Sequence, residues 1–243
     1  MRRLLTVLYL ATITALLAGC GVTVVNGSGK VITQSRTVSN FSTFTLAGLG
    51  DVIITQGATE SLTIEAEDNV MPLLKSEVKA GNLIIYMDQK DWKDVIRPTK
   101  PIKIALAAKN LSLIELTGMG TISSPSFKAA KLTVQVSGAG AVKIPKLEAT
   151  DLKTVLSGFG NTELDGQVTS QEVEMTGAGQ YLAGNLSSQT AKVTVTGTGN
   201  ATVWARDTLS VTIGGAGNVS YYGNPKVTKS ITGLGLLSPL GAK

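Results

Sequence analysis

Along the second half of the chain apolar and polar residues alternate, and a Gly-x-Gly triplet interrupts the alternation at regular intervals. Two, four and six residues before the triplet at 138 stand Val136, Val134 and Leu132; before the one at 215 stand Ile213, Val211 and Leu209. Four and six residues after the first glycine come Val142 and Ile144, or Val219 and Tyr221. Successive side chains of a strand point to opposite faces, so a period of two marks a strand with one buried face. No helical periodicity appears between triplets. Each repeat therefore predicts a strand, a Gly-x-Gly corner, a second strand and a return turn.

The first glycines are Gly48, Gly118, Gly138, Gly158, Gly177, Gly197, Gly215 and Gly233, and from Gly118 onward the steps are 20, 20, 19, 20, 18 and 18 residues. A fixed period of about 20 marks a stacked-repeat protein. The LxxLxLxxN pattern of leucine-rich repeats is missing. The expected fold is all-β, a solenoid of ~20-residue rungs. Stacking identical corners at the strand spacing leaves little room for a Cβ, which accounts for the glycines. A dinucleotide-binding reading would need GxGxxG opening a helix, and both are absent.

Columns across the rungs support stacking. One residue before the glycine stand Thr117, Ser137, Ser157, Thr176, Thr196 and Thr232, a hydroxyl ladder broken by Gly214. Three residues after it stand Asp51, Thr121, Ala141, Asn161, Gln180, Asn200 and Asn218, a polar ladder of the kind stacked strands favour. Five residues before it Lys153, Glu172 and Lys192 alternate in charge on the outer face.

Residues 29–110 are less regular. Strand-like runs occur at 44–46, 52–55, 61–65, 83–87 and 102–106, and Asp68 to Leu74 combines N-cap residues with an apolar cluster suited to one short helix. The 70 residues between Gly48 and Gly118 read as about three and a half rungs with decorated turns. The expected organisation is a solenoid over 29–243, with irregular rungs at 29–110, regular rungs at 111–235 and a cap at 234–243.

The first twenty residues carry an address. Arg2 and Arg3 precede an apolar stretch from Leu4 to Leu17, too short to span a bilayer and closed by small residues, which is a secretory signal. Leu17-Ala18-Gly19-Cys20 resembles the bacterial lipobox, which implies cleavage between Gly19 and Cys20, acylation of Cys20, and a membrane anchor through that lipid. Residues 1–19 are then the signal peptide and 20–28 a lipidated linker. Cys20 is the only cysteine, and an unpaired thiol in an exported chain calls for such an explanation. Gly21 rather than Asp after the cysteine favours the outer membrane. The formal charge is +5, falling to +3 once Arg2 and Arg3 are removed, and the basic residues are scattered. Nucleic-acid binding needs a basic cluster, so it is set aside.

The segment from Gly27-Ser28-Gly29 through Arg36, Val38, Phe41, Gly48, Gly50-Asp51-Val52 and Gln56-Gly57, continued by residues 61–85, resembles the bacterial surface family described as putative autotransporter adhesin, head GIN domain. The resemblance covers nearly the whole mature chain and implies a right-handed parallel β-helix on a secreted or lipid-anchored protein. It brings no catalytic residues. No rung contains Gly-Ile-Asn; the later ones carry Gly199-Asn200 and Gly217-Asn218.

The chain has no histidine, which removes Ser-His-Asp and Cys-His pairs and the usual zinc sets. No cofactor or metal is expected. Glu172 with Glu174, and Glu163 with Asp165, are spaced to share a face, as paired carboxylates of a polysaccharide lyase or hydrolase would be. Glu172 between two lysines reads better as a surface ladder. Asp88, Asp91 and Asp94 alternate with Lys90 and Lys93 as a solvated loop. The expected function is a non-catalytic adhesion or interaction module toward an envelope protein or glycan. The seventh position after each glycine, Pro145, Asp165, Gly184, Trp204 and Tyr222, points outward, so Trp204 and Tyr222 become vertical neighbours. Either they form a partner-binding surface, or the apolar segment 234–240 folds over them as an end cap; their place in the last rungs favours the cap.

Overall fold

A computed structural model describes residues 24–88 and 95–243. The fold is all-β: stacked parallel strands form a β-solenoid of about six turns. In the regular part the strands Ala139–Leu156, Asn161–Met175, Gln180–Val195 and Asn200–Ile213 pair in parallel, each on the next. Inward columns such as Val136, Leu156, Met175, Val195 and Ile213 are buried throughout.

The corner glycines are required by close approach. A Cβ on Gly118 would overlap the Gly48 carbonyl oxygen, one on Gly138 that of Gly118, and so on up the column to Gly233. Positive φ is confined to Gly50 and Gly120 among the corner glycines. Of the two reasons a corner selects glycine, space decides here.

The return is no turn. Each long strand runs through it as extended chain, and the unequal period is absorbed there. Between Ile144 and Leu147 the register against the next rung loses one residue, and Gly166, at φ +126°, carries that shortening. The next rung regains a residue between Glu163 and Gly166, and the rung after it shifts twice between Ala183 and Thr190. The corners keep register throughout, because their backbones leave no slack.

The polar ladder has directed bonds. Asp51 Oδ1 accepts from Thr121 N–H, Asn161 Oδ1 from Gln180 N–H, Asn200 Oδ1 from Asn218 N–H, and Asn218 Oδ1 from Leu236 N–H, at 2.9–3.1 Å. These side chains satisfy corner amides of the rung above. The hydroxyl column is linked mainly through its backbone. Its rung-to-rung bonds are made by backbone, as in Ser137 N–H to the Leu116 carbonyl, and Thr117 Oγ1 donates to the Leu46 carbonyl at 3.5 Å.

Three expectations for the ends are corrected. First, the residues between Gly48 and Gly118 are not three and a half rungs. Thr43–Leu46 and Leu49–Gln56 pair in parallel directly with Leu113–Leu116 and Met119–Ser123, so the two glycine rungs touch. The intervening chain builds one layer beneath, from Asn82–Met87 and Lys103–Ala108. It then covers that layer with antiparallel strands: Leu74–Lys79 on Asn82–Met87, Ser61–Glu67 on Lys103–Ala108, and Val31–Arg36 on Ser61–Glu67. Antiparallel strands alternate as parallel ones do, so the pattern hid the change of direction. Second, Asp68 to Leu74 holds only a 3₁₀ turn at Met71–Leu73, with Val70 in the N-cap position. Pro72 suits that first turn, but Leu74 is already extended, and the cap-forming side chains are engaged elsewhere. Third, the linker is structured from Val24: Val24–Asn26 pairs in parallel with Val95–Arg97.

Those cap-forming residues clasp the N-terminal segment. Glu67, only 1% exposed, accepts from Thr99 Oγ1 at 2.5 Å, Gly29 N–H at 2.6 Å and Thr99 N–H at 2.8 Å. Ser28 Oγ donates to Asp68 and Ser28 N–H to Asn69 Oδ1. A side chain on Gly27 would overlap the Glu67 carboxylate. The Thr99 hydroxyl holds the Glu67 pKa below the ordinary 4.5 against opposing desolvation, and the Ser28 hydroxyl lowers that of Asp68. A carboxyl whose folded value is depressed stabilises the fold fully above its unfolded value and loses that stabilisation as pH falls through the folded one. Amide exchange in residues 24–30 and 95–99 is therefore expected to accelerate relative to the core as pH drops below about 4.5. Glu67→Gln should weaken the clasp at neutral pH and leave only the Asp68 step. Equal pH response of variant and wild type would sink this account.

Candidate functional site

The outward column at the return side carries the two aromatics. Trp204 and Tyr222 are in-register neighbours on adjacent rungs. Beneath Trp204 lies Ser187, not Gly184 as counting from the glycines suggested, because the register shifts between Ala183 and Ser187. Both rings are half-buried. The expected cap over them is not formed. Leu237–Gly241 continues the stack as a strand on Val219–Tyr222, while Leu234, Leu236 and Leu240 are 89%, 64% and 46% exposed.

What lies over the rings is the Lys243 ammonium. Its Nζ sits 4.6 Å from the Tyr222 ring centroid and 5.5 Å from that of Trp204. It donates to the Gly184 carbonyl and to Asn185 Oδ1. A Cβ on Gly184 would stand 3.1 Å from Tyr222 Cε2 and 3.2 Å from Thr202 Cγ2, so glycine keeps this carbonyl open beside the ring. Glu163, Asp165, Leu182 and Thr202 complete a cleft of about 210 Å³. A second cleft of about 400 Å³, lined by Ile53, Ser124, Pro125, Lys143 and Pro145, shares Glu163 and Asp165. Together they make one furrow across several rungs.

An interior network, not foreseen from the sequence, fixes Trp204 from behind. Tyr181 Oη donates to Gln171 Oε1 at 3.0 Å, Gln171 Nε2 donates to Ser188 Oγ at 2.8 Å, and Ser188 Oγ donates to the Trp204 carbonyl at 2.8 Å. All three side chains are buried, and burial pushes the Tyr181 pKa up, so it remains a neutral donor. The rungs make room for the two larger members: Tyr181 stacks between Thr162 and Ala201, Gln171 between Leu152 and Ala191. Gln171 and Tyr181 at inward positions of apolar columns were the sequence signal.

Three of the four carboxylate candidates are engaged in ion pairs. Lys192 Nζ lies 2.7 Å from Glu172 Oε1, Lys153 Nζ 2.8 Å from Glu174 Oε1, and Lys143 Nζ 3.4 Å from Glu163 Oε2. Lys153, Glu172 and Lys192 are in register as expected, but Lys153 bonds Glu174 rather than Glu172. The Lys192 hydrogen bond lowers the Glu172 pKa, and the Glu174 hydrogen bond raises that of Lys153. Glu172 is thus a carboxylate, unsuited to donate a proton at neutral pH. Asp165 faces the furrow. Asp88 pairs with Lys75 at 3.8 Å. Among the described residues no group of three or more acids is placed to hold a metal ion, and no helix is long and apolar enough to cross a membrane. Gly19 and Cys20, like Lys90, Asp91, Lys93 and Asp94, lie outside the described residues.

The fold is a glycine-cornered all-β solenoid with a surface furrow, its residues Glu163, Glu172 and Glu174 in salt bridges. The family model for "Putative auto-transporter adhesin, head GIN domain" matches residues 40–225, and the chain belongs to that family. Its fold is similar to that of a crystallised protein of Bacteroides fragilis described as a putative adhesin (25% identity, 89% of this chain and all of that one, TM-score 0.84). It is also similar to two proteins of Parabacteroides distasonis. One is described as a putative lipid binding protein (24% identity, 90% of this chain and all of that one, TM-score 0.71). The other is described as a putative adhesin (22% identity, 89% of this chain and all of that one, TM-score 0.67). Among curated proteins none matches the chain.

Proposed function

We propose that the protein is a non-catalytic adhesion module of the bacterial cell envelope, tethered to the outer membrane by lipid on Cys20 after removal of residues 1–19. The observation that carries the adhesion reading is membership of an adhesin family over residues 40–225. The engagement of Glu163, Glu172 and Glu174 in ion pairs supports a non-catalytic surface over a polysaccharide lyase or hydrolase. The aromatic pair and furrow offer the contact surface for an envelope protein or glycan.

The test compares cells displaying the full chain with cells lacking it, on immobilised envelope preparations and on epithelial monolayers. Expression should raise adherence, and soluble protein should compete it away. Equal adherence of the two strains would overturn the reading. So would release of reducing or unsaturated sugar from a polysaccharide panel by the purified chain.

A further inference from the structure

The group seated on the aromatic pair is a primary ammonium, and everything around it suits one. Two ring faces lie within cation–π range of Nζ. Two acceptors, a backbone carbonyl and an amide oxygen, take two of its three N–H donors. Asp165 lines the same cleft with a carboxyl side chain. The acceptors are held in place: Gly184 is kept open beside Tyr222 by its missing side chain, and the backbone at Trp204 is fixed by Ser188 and Gln171. A sugar ring would use the aromatic faces but would leave the charge unexplained. A planar guanidinium presents its donors in a fork, whereas these acceptors converge on a point.

We propose that Trp204, Tyr222, Gly184 and Asn185 form a receptor for the lysine side chain of a partner protein, and that Lys243 occupies it in the free protein. The proposal rests on the adhesion reading only in supplying a partner; the site itself is a property of this chain. Lys243 then acts as a tethered competitor. A partner lysine displaces it by exchange of like for like, which leaves the two acceptors satisfied before and after the exchange. Multiple weak contacts of this type across many copies on one cell would add through multivalency.

The experiment uses the full chain carrying Trp92→Phe, which leaves Trp204 as its single tryptophan, with and without Lys243→Met. Nα-acetyl-lysine amide is titrated while Trp204 fluorescence is followed. The Lys243→Met protein should give a saturable change, and the Nε-acetylated form of the same compound should give none. With Lys243 retained, apparent affinity should be at least about two-fold weaker, since a tethered group competes at an effective concentration in the millimolar range. Adding Tyr222→Ala to Lys243→Met should weaken binding roughly two- to five-fold, the value of one exposed cation–π contact. Unchanged melting temperatures establish that these variants fold. No saturable response in Lys243→Met, or equal responses to the charged and acetylated compounds, would overturn the proposal. Either result leaves the adherence assay untouched, so failure of the site and failure of the adhesion reading are separable.

Discussion

Gly158→Val is expected to destabilise the solenoid by on the order of 4 kcal/mol or more, enough to remove a folded population at moderate temperature. A Cβ at 158 would overlap the carbonyl oxygens of both Gly138 and Ser137. These are backbone atoms, pinned by the same ladder the substitution disturbs: Gly158 N–H bonds the Val136 carbonyl at 3.3 Å and Phe159 N–H bonds the Gly138 carbonyl at 3.2 Å. Relief requires rungs to separate, which breaks hydrogen bonds on both sides of the corner. Gly57 supplies the contrast, because a Cβ there meets nothing within 4 Å. Gly57→Ala should be neutral or slightly stabilising, since it mainly narrows the unfolded ensemble. Denaturant midpoints of the two variants check the pair. A Gly158→Val protein that melts with wild type would refute the crowded-corner account.

Cys20→Ser is expected to move the protein from the membrane fraction to the soluble one, or to leave it unprocessed with residues 1–19 attached. The reasoning is chemical. Serine lacks the nucleophilic sulfur that accepts an acyl chain, and each buried methylene contributes about 0.8 kcal/mol to anchoring, so losing even one chain is decisive. Membrane fractionation and intact mass decide it. A wild-type mass without acyl chains would end the anchor proposal and leave the solenoid's own chemistry as the means of attachment.

The regular rungs were legible because each obeys one constraint repeated. A backbone corner with no room for Cβ fixes glycine at Gly138, Gly158 and Gly177, and the buried face fixes the alternation around them. The layer inserted between Gly48 and Gly118 was not legible, since Ser61–Glu67 alternates like any rung while running antiparallel. Alternation reports which face is buried, not which way the strand points or what it pairs with. At the candidate site the same division holds. Trp204 above Ser187 and below Tyr222 depends on a register shift that no local pattern records, yet the Trp204–Tyr222 adjacency survived because the shift lies below it. Lys243 over the rings follows from the path of residues 223–243, which only the assembled backbone defines. Gln171 and Tyr181 could have been found as breaks in apolar columns, but their link to Trp204 runs through Ser188, which only the shifted register of the return brings within reach of the Trp204 carbonyl.

The contact between the Gly48 and Gly118 rungs has a consequence for the order of assembly. Neighbouring regular rungs join residues 20 apart in sequence, whereas the Asp51–Thr121 junction joins residues 70 apart. Closing the longer loop costs about 1 kcal/mol more in chain entropy before any contact offsets it. In a quasi-one-dimensional stack, growth starts where neighbour contacts are most local. Two parts of the chain meet that condition, the rungs after Gly118 and the hairpin of Leu74–Lys79 with Asn82–Met87, and the junction between the Gly48 and Gly118 rungs closes after both. The Gly48–Gly118 junction is thus the last seam to close, with a locally formed unit on either side of it.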